Sequence, residues 1–129
     1  MNWYKKSQAD LDIEDELNDL LQSLRNEYPL SKLEAWIPHG HHIELANIEV
    51  RPENRGKGVG NAVIKRIQDF AREKGLPITL RPKADRGKKE ALDRFYRSLG
   101  FKKNRGRDMD YELSSPFSTT MFWKPDKRI

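Results

Sequence analysis

The sequence predicts one α/β (α+β) domain spanning residues 1–129, and three observations predict it. Ile43 to Lys74 reads as a strand, a glycine-rich turn and an amphipathic helix. Pro77 to Leu80 is a short, mostly apolar run that fits a buried strand parallel to the first, joined to it by a right-handed crossover. Lys32 to Ile37 alternates as a strand that pairs with Ile43 to Val50 through Pro38-His39-Gly40-His41, so the sheet mixes a hairpin with a parallel pair. A chain of 129 residues with 36% hydrophobic content buries one two-layer core and has no material for a second.

The elements follow in order. Trp3 and Tyr4 predict a short first strand. Ile13, Leu17, Leu20, Leu21 and Leu24 predict a helix, with Asp10, Asp12, Glu14 and Asp15 near its positive end and Pro29 closing it. Ile43 and Leu45 keep one alternation phase while Ile48 and Val50 keep the other, which predicts a bulge near Ala46 or Asn47 and a strand bent away from its neighbour. Val59, Val63, Ile64, Ile67, Phe70 and Ala71 then recur at helical spacing, with Lys65, Gln68, Asp69, Arg72 and Glu73 opposite and Gly75 as the cap.

Beyond Leu80, Arg81 to Lys89 lacks apolar periodicity and is expected to be a loop. Ala91, Leu92, Phe95 and Leu99 predict the inner face of a further helix capped by Gly100, with Phe95 filling the inward position beside Tyr96. Phe101 to Lys103 starts a strand, Arg105 to Pro116 is expected to be a long loop, and Thr119 to Trp123 supplies a last strand ended by Pro125.

Composition excludes several classes of function. The chain has no cysteine, which removes disulfides and thiol catalysis. It shows no apolar run of membrane-spanning length and no basic-then-apolar leader, so the expectation is a cytoplasmic protein without a membrane partner. His39, His41 and His42 raise a metal site, but adjacent strand residues point to opposite faces and no fourth ligand lies nearby in sequence, so no metal is expected. Charge is segregated: residues 1–50 hold 4 basic and 10 acidic residues, whereas residues 51–129 hold 21 basic and 10 acidic. Eleven Lys or Arg lie between Arg81 and Arg107, against Asp85, Glu90 and Asp93. That stretch reads as a solvated surface that also attracts the phosphates of a nucleotide cofactor, or as a face for nucleic acid or another polyanion.

The chemistry is concentrated in Arg55-Gly56-Lys57-Gly58-Val59-Gly60. Three glycines at a helix entrance let backbone N–H groups approach a ligand, and those groups with the helix dipole favour an anion. Two familiar phosphate fingerprints fail, because Asn61 and Val63 stand where a dinucleotide motif needs glycine and Asn61 stands where a P-loop needs it. The pattern Arg-x-x-Gly-x-Gly, directly after a strand ending Ile48-Glu49-Val50-Arg51-Pro52, resembles the cofactor loop of the GNAT superfamily of acetyl-CoA-dependent N-acyltransferases. Phe95-Tyr96-Arg97-Ser98-Leu99-Gly100-Phe101 resembles the family's helix ending in Tyr-x-x-x-Gly-Phe.

The resemblance covers Ile43 to Trp123 and implies a mixed twisted sheet with helices on both faces, with a shortened N-terminal part. It implies that the main chain of Ile48, Glu49 and Val50 pairs with the pantetheine arm of acetyl-CoA, and that Arg55, Gly56, Lys57, Gly58, Val59 and Gly60 hold the pyrophosphate. Tyr96 matches the tyrosine that protonates the departing thiolate, and Glu44 occupies the strand position of a catalytic glutamate, with Glu49 as its competitor. Many members carry an asparagine seven residues before the tyrosine, where this chain has Lys89. The activity so implied is acetyl transfer to an amine acceptor, a small molecule or a protein, by a monomer or homodimer. The alternative is a GNAT-fold module that binds nucleic acid through its basic face without catalysis.

Overall fold

Ser7 and Asp10 start the first helix reciprocally: the Asp10 backbone N–H donates to Ser7 Oγ at 3.1 Å and the Ser7 N–H to Asp10 Oδ2 at 3.3 Å. In the computed structural model, which describes residues 7–38, 42–82, 88–105 and 121–125, this helix, α1, runs from Gln8 to Glu27. Leu17, Leu21 and Leu24 are buried on its inner stripe as the spacing predicts. Arg25 donates from Nε (3.2 Å) and Nη2 (2.7 Å) to the Leu33 carbonyl, which ties the end of α1 to the strand that follows.

That strand, β1 (Leu30–Trp36), pairs antiparallel with β2 (Ile43–Val50). After the short 3₁₀ turn Pro52–Asn54 come α2 (Val59–Lys74), β3 (Ile78–Leu80), α3 (Lys89–Ser98), β4 (Lys102–Lys103) and β5 (Met121–Trp123). Gly75 caps α2 as expected. The sheet order is β1-β2-β3-β5-β4: β2 and β3 are parallel, and the other neighbours antiparallel. Leu33, Ala35, Ile43, Leu45, Ile78, Leu80, Met121 and Trp123 join Val63, Ile64, Ile67 and Ala71 of α2 in one core. The expected strand at Trp3–Tyr4, the His39–His41 turn and most of the 105–116 loop lie outside the described residues.

The predicted bulge is present, at Ala46: Glu34 faces Asn47 while the next residue, Ala35, faces Leu45. Three side chains differ from expectation. Ala91 is exposed, and the fully inward residue of α3 is Tyr96, with Phe95 only partly buried, because α3 packs across the end of the sheet where Phe101 offers Tyr96 an edge-on contact at 5.7 Å between ring centroids. Gln68, assigned to the polar side of α2, is 3% exposed. Its Nε2 donates to the Leu99 carbonyl at 2.8 Å, so a residue that reads as surface joins α2 to the end of α3.

Gln68→Ala should therefore lower stability by about 1–3 kcal/mol, since it strands a buried carbonyl. Urea unfolding measures this as a lower midpoint at unchanged slope; an unchanged midpoint would show that water satisfies Leu99.

Candidate functional site

The bulge decides where a cavity forms. Pairing of β2 with β3 is confined to Ile43–Leu45 against Ile78–Leu80. Beyond Ala46, β2 stays paired with β1, with a second register shift between Leu30 and Lys32, but no described strand pairs with its other edge. Ile48, Glu49 and Val50 form one wall of a cleft of about 670 Å³ there. Asn54, Arg55, Gly56, Gly58, Val59, Gly60 and Asn61 form its end, and Leu92, Phe95 and Tyr96 of α3 its far wall.

At the end wall the chain enters α2 without a side-chain cap. The first N–H groups of the helix are left for solvent or a ligand, at its positive end. Gly58, the N-cap, has φ +79°, a left-handed conformation that costs other residues about 1–2 kcal/mol. A Cβ at Gly56 or Gly58 would meet nothing within 4 Å, so their flank of the loop is open space that a side chain would occupy. Gly60 serves a different purpose. A Cβ there would lie 3.4 Å from Phe95 Cζ and 3.9 Å from Val50 Cγ2, so α2, α3 and β2 come together at this end of the cleft with room for little more than a methyl group.

Arg55 folds back on the strand: Nε donates to the Val50 carbonyl at 3.2 Å, and Nη2 lies 3.6 Å from Glu49 Oε1. The pair is solvent-exposed and contributes little to stability, but it fixes the guanidinium at the cleft mouth. Lys57 is exposed and is not among the lining residues.

Tyr96 is 6% exposed and packs edge-on against Phe95 at 5.2 Å. It lines both the cleft and a small slot of about 90 Å³ between the diverging strands, walled by Leu45, Ala46, Asn47, Ile48, Leu80, Arg81 and Leu92. Burial pushes its phenol up to about 12, so it stays protonated at neutral pH and is able to donate. Glu44 sits on β2 before the bulge, opposite Trp36 on one side and Thr79 on the other. Its Oε2 accepts the Trp36 indole N–H at 2.6 Å, and it does not line the cleft. Glu49 does line it. Of the three histidines, His42 is described and His39 and His41 are not.

Four lining residues were not legible as such: Asn54, Asn61, Leu92 and Phe95. The last two share a helical face with Tyr96, and that face had been assigned to the core. Lys89, at the position where a polar amide was anticipated, is the exposed first residue of α3.

Comparison with known proteins places this geometry in a wider set. The model of a family described as Acetyltransferase (GNAT) domain matches residues 30–103. Thialysine N-epsilon-acetyltransferase of Bos taurus is 39% identical over 61 residues, 47% of this chain and 35% of that protein, so the match spans about a third of the curated relative. Among solved structures, the anti-CRISPR protein AcrVA5 is similar with a TM-score of 0.52 and 28% identity, over 71% of this chain and 87% of that one. Ard1 from Thermoplasma volcanium, at 19% identity and a TM-score of 0.53 over 84% of this chain and 80% of its own, shares the fold.

The raised Tyr96 pKa has a sign that can be checked. Between the unfolded value near 10 and the folded value of about 12, the folded chain holds a proton that the unfolded chain has lost. The linked stability is whole below about pH 10 and falls by on the order of 2 kcal/mol as pH rises to the folded value. Tyr96→Phe should remove the last step of phenolate absorbance and that part of the alkaline fall. A phenolate titration complete near pH 10 in the folded wild type would contradict it.

Proposed function

The chain belongs to the GNAT acetyltransferase family, and on that footing we propose that it is an N-acetyltransferase moving the acetyl group of acetyl-CoA to a primary amine by direct attack. The observation that carries the reading is the union, in one cleft, of an uncapped, glycine-flanked helix N-terminus with a buried, protonated phenol.

The open space beside Gly56 and Gly58, which a side chain would occupy, supports the reading that the loop holds acetyl-CoA. In this reading the N–H groups from Gly56 to Gly60 hold the pyrophosphate, with Arg55 and Lys57 adding positive charge. The free edge of Ile48, Glu49 and Val50 offers main-chain donors and acceptors to the pantetheine amides, in the manner of an added strand. Acetyl-CoA supplies an activated thioester, so the chain needs no covalent nucleophile of its own.

Two proton movements remain for the protein. An alkyl amine with a pKa near 10.4 is almost wholly protonated at neutral pH and must lose a proton before attack. Glu44, Glu49 or a water between them takes that role. Glu44 has one oxygen held by the Trp36 indole, which leaves the other to accept, while Glu49 is already engaged by Arg55. At the other end, Tyr96 gives its hydroxyl proton to the departing thiolate. Burial keeps the phenol protonated and able to donate, but it also makes the phenol a weaker acid than the thiol it would form, so the transfer draws on the removal of the thiolate charge in a site poor in water.

Gly58→Glu is the decisive test of the loop. It sets a carboxylate where the pyrophosphate lies and should abolish acetyl-CoA binding in calorimetry, with the fold retained at a cost of about 1–2 kcal/mol for the left-handed backbone. Unchanged affinity in a folded variant would overturn the assignment. Among the proton-transfer groups, Tyr96→Phe should lower kcat toward the lower end of the usual 10² to 10⁴-fold range, at near-constant acetyl-CoA affinity. Glu44→Gln should slow turnover most at low pH and recover in part at high pH, where the amine deprotonates unaided; a loss uniform across pH would transfer the role to Glu49 or water.

A further inference from the structure

At the far edge of the sheet from β1, the last turn of α3 and strand β4 enclose a second concavity of about 320 Å³, lined by Arg97, Phe101, Lys102, Lys103 and Arg105. It shares no lining residue with the acetyl-CoA cleft. Each cation taken alone has an ordinary explanation. Arg97 complements the negative end of α3, and lysines on an edge strand such as β4 discourage pairing with other chains.

Together they do something those explanations do not require. Four cationic side chains from a helix end, a strand and the turn after it converge on one hollow, rather than lying in a row along an edge. Asp93 pairs with Lys103 at 3.1 Å, and among the described residues no carboxylate pairs with Arg97, Lys102 or Arg105. Phe101 forms the floor but is 2% exposed, so the hollow offers no apolar anchor point to a peptide side chain and no ring on which a base could stack. What it offers is charge and forked donors matched to phosphate oxygens. The residues belong to the basic half of a chain whose charge is strongly segregated.

We propose that the hollow formed by Arg97, Lys102, Lys103 and Arg105 is a docking site for the phosphodiester backbone of a nucleic acid, read by charge and shape without base recognition. Binding there is compatible with an occupied acetyl-CoA cleft, because the two sites have separate walls. It does not depend on catalysis by the cleft.

The test uses the full chain with a short fluorescent RNA, and DNA of the same sequence in single- and double-stranded form, titrated by anisotropy between about 50 and 200 mM salt. Binding should weaken steeply with salt. Alanine at Arg97, Lys102 or Arg105 should each flatten the logarithmic salt slope by about 1. Arg97→Glu with Arg105→Glu should weaken binding about tenfold or more at low salt. Circular dichroism and acetyl-CoA affinity serve as controls and should not change, which separates this site from the cleft. Whichever nucleic acid binds more tightly identifies the source of the phosphates. The proposal is overturned if none binds at low salt, if the variants keep the wild-type slope, or if a polyglutamate peptide binds as tightly as the nucleic acids.

Discussion

One extra residue in β2 governs the rest of the molecule. Because Ala46 is inserted opposite the step from Glu34 to Ala35, β2 parts from β3 while staying paired with β1. A sheet cannot leave polar edges buried without partners. The divergence therefore creates both a gap and an unpaired strand edge at Ile48–Val50, where Arg55 Nε already donates to the Val50 carbonyl. The same insertion lets Leu45 and Ile48 both serve the inner face although they stand three positions apart.

The gap has a fixed width because its two helical walls are held together. Phe95 and Val50 pack beside Gly60 in the first turn of α2, and Gln68, two turns further on, bonds the Leu99 carbonyl at the end of α3. The buried amide is the tie between the two helices. The arrangement also buries Tyr96 against Phe95 and Phe101, and this burial raises its pKa. Packing and protonation thus have a common cause here, as burial of one aromatic side chain fills the core and holds its phenol protonated.

Charge is distributed in keeping with that division. The acidic half of the chain supplies α1, β1 and β2, whose polar side chains include the exposed Glu34 and Glu49 and the half-buried Glu44. The basic half supplies the glycine loop, α3 and β4. Among the described residues no helix is long and apolar enough to cross a membrane.

Sequence alone determined the features that depend on local periodicity and on the special backbone of glycine. The phase slip between Leu45 and Ile48 located the bulge to within a residue, the helical spacing of Val59 to Ala71 with Gly75 located α2, and the glycines at 56 and 58 located an anion-ready helix start. Each is encoded by neighbours a few positions apart. What only the tertiary structure decided are matters of which distant surface a side chain meets. Gln68 reads as solvent-facing because its partner, the Leu99 carbonyl, lies thirty-one residues away. Phe95 and Tyr96 exchange inner and outer roles because Phe101 and Gly60 approach α3 from elements outside it. Glu44 acquires the Trp36 indole across the hairpin, and Arg97 joins Arg105 only because β4 turns back beside the helix end. Periodicity assigns a residue to a face, but the contacts made by that face are set by how the elements pack.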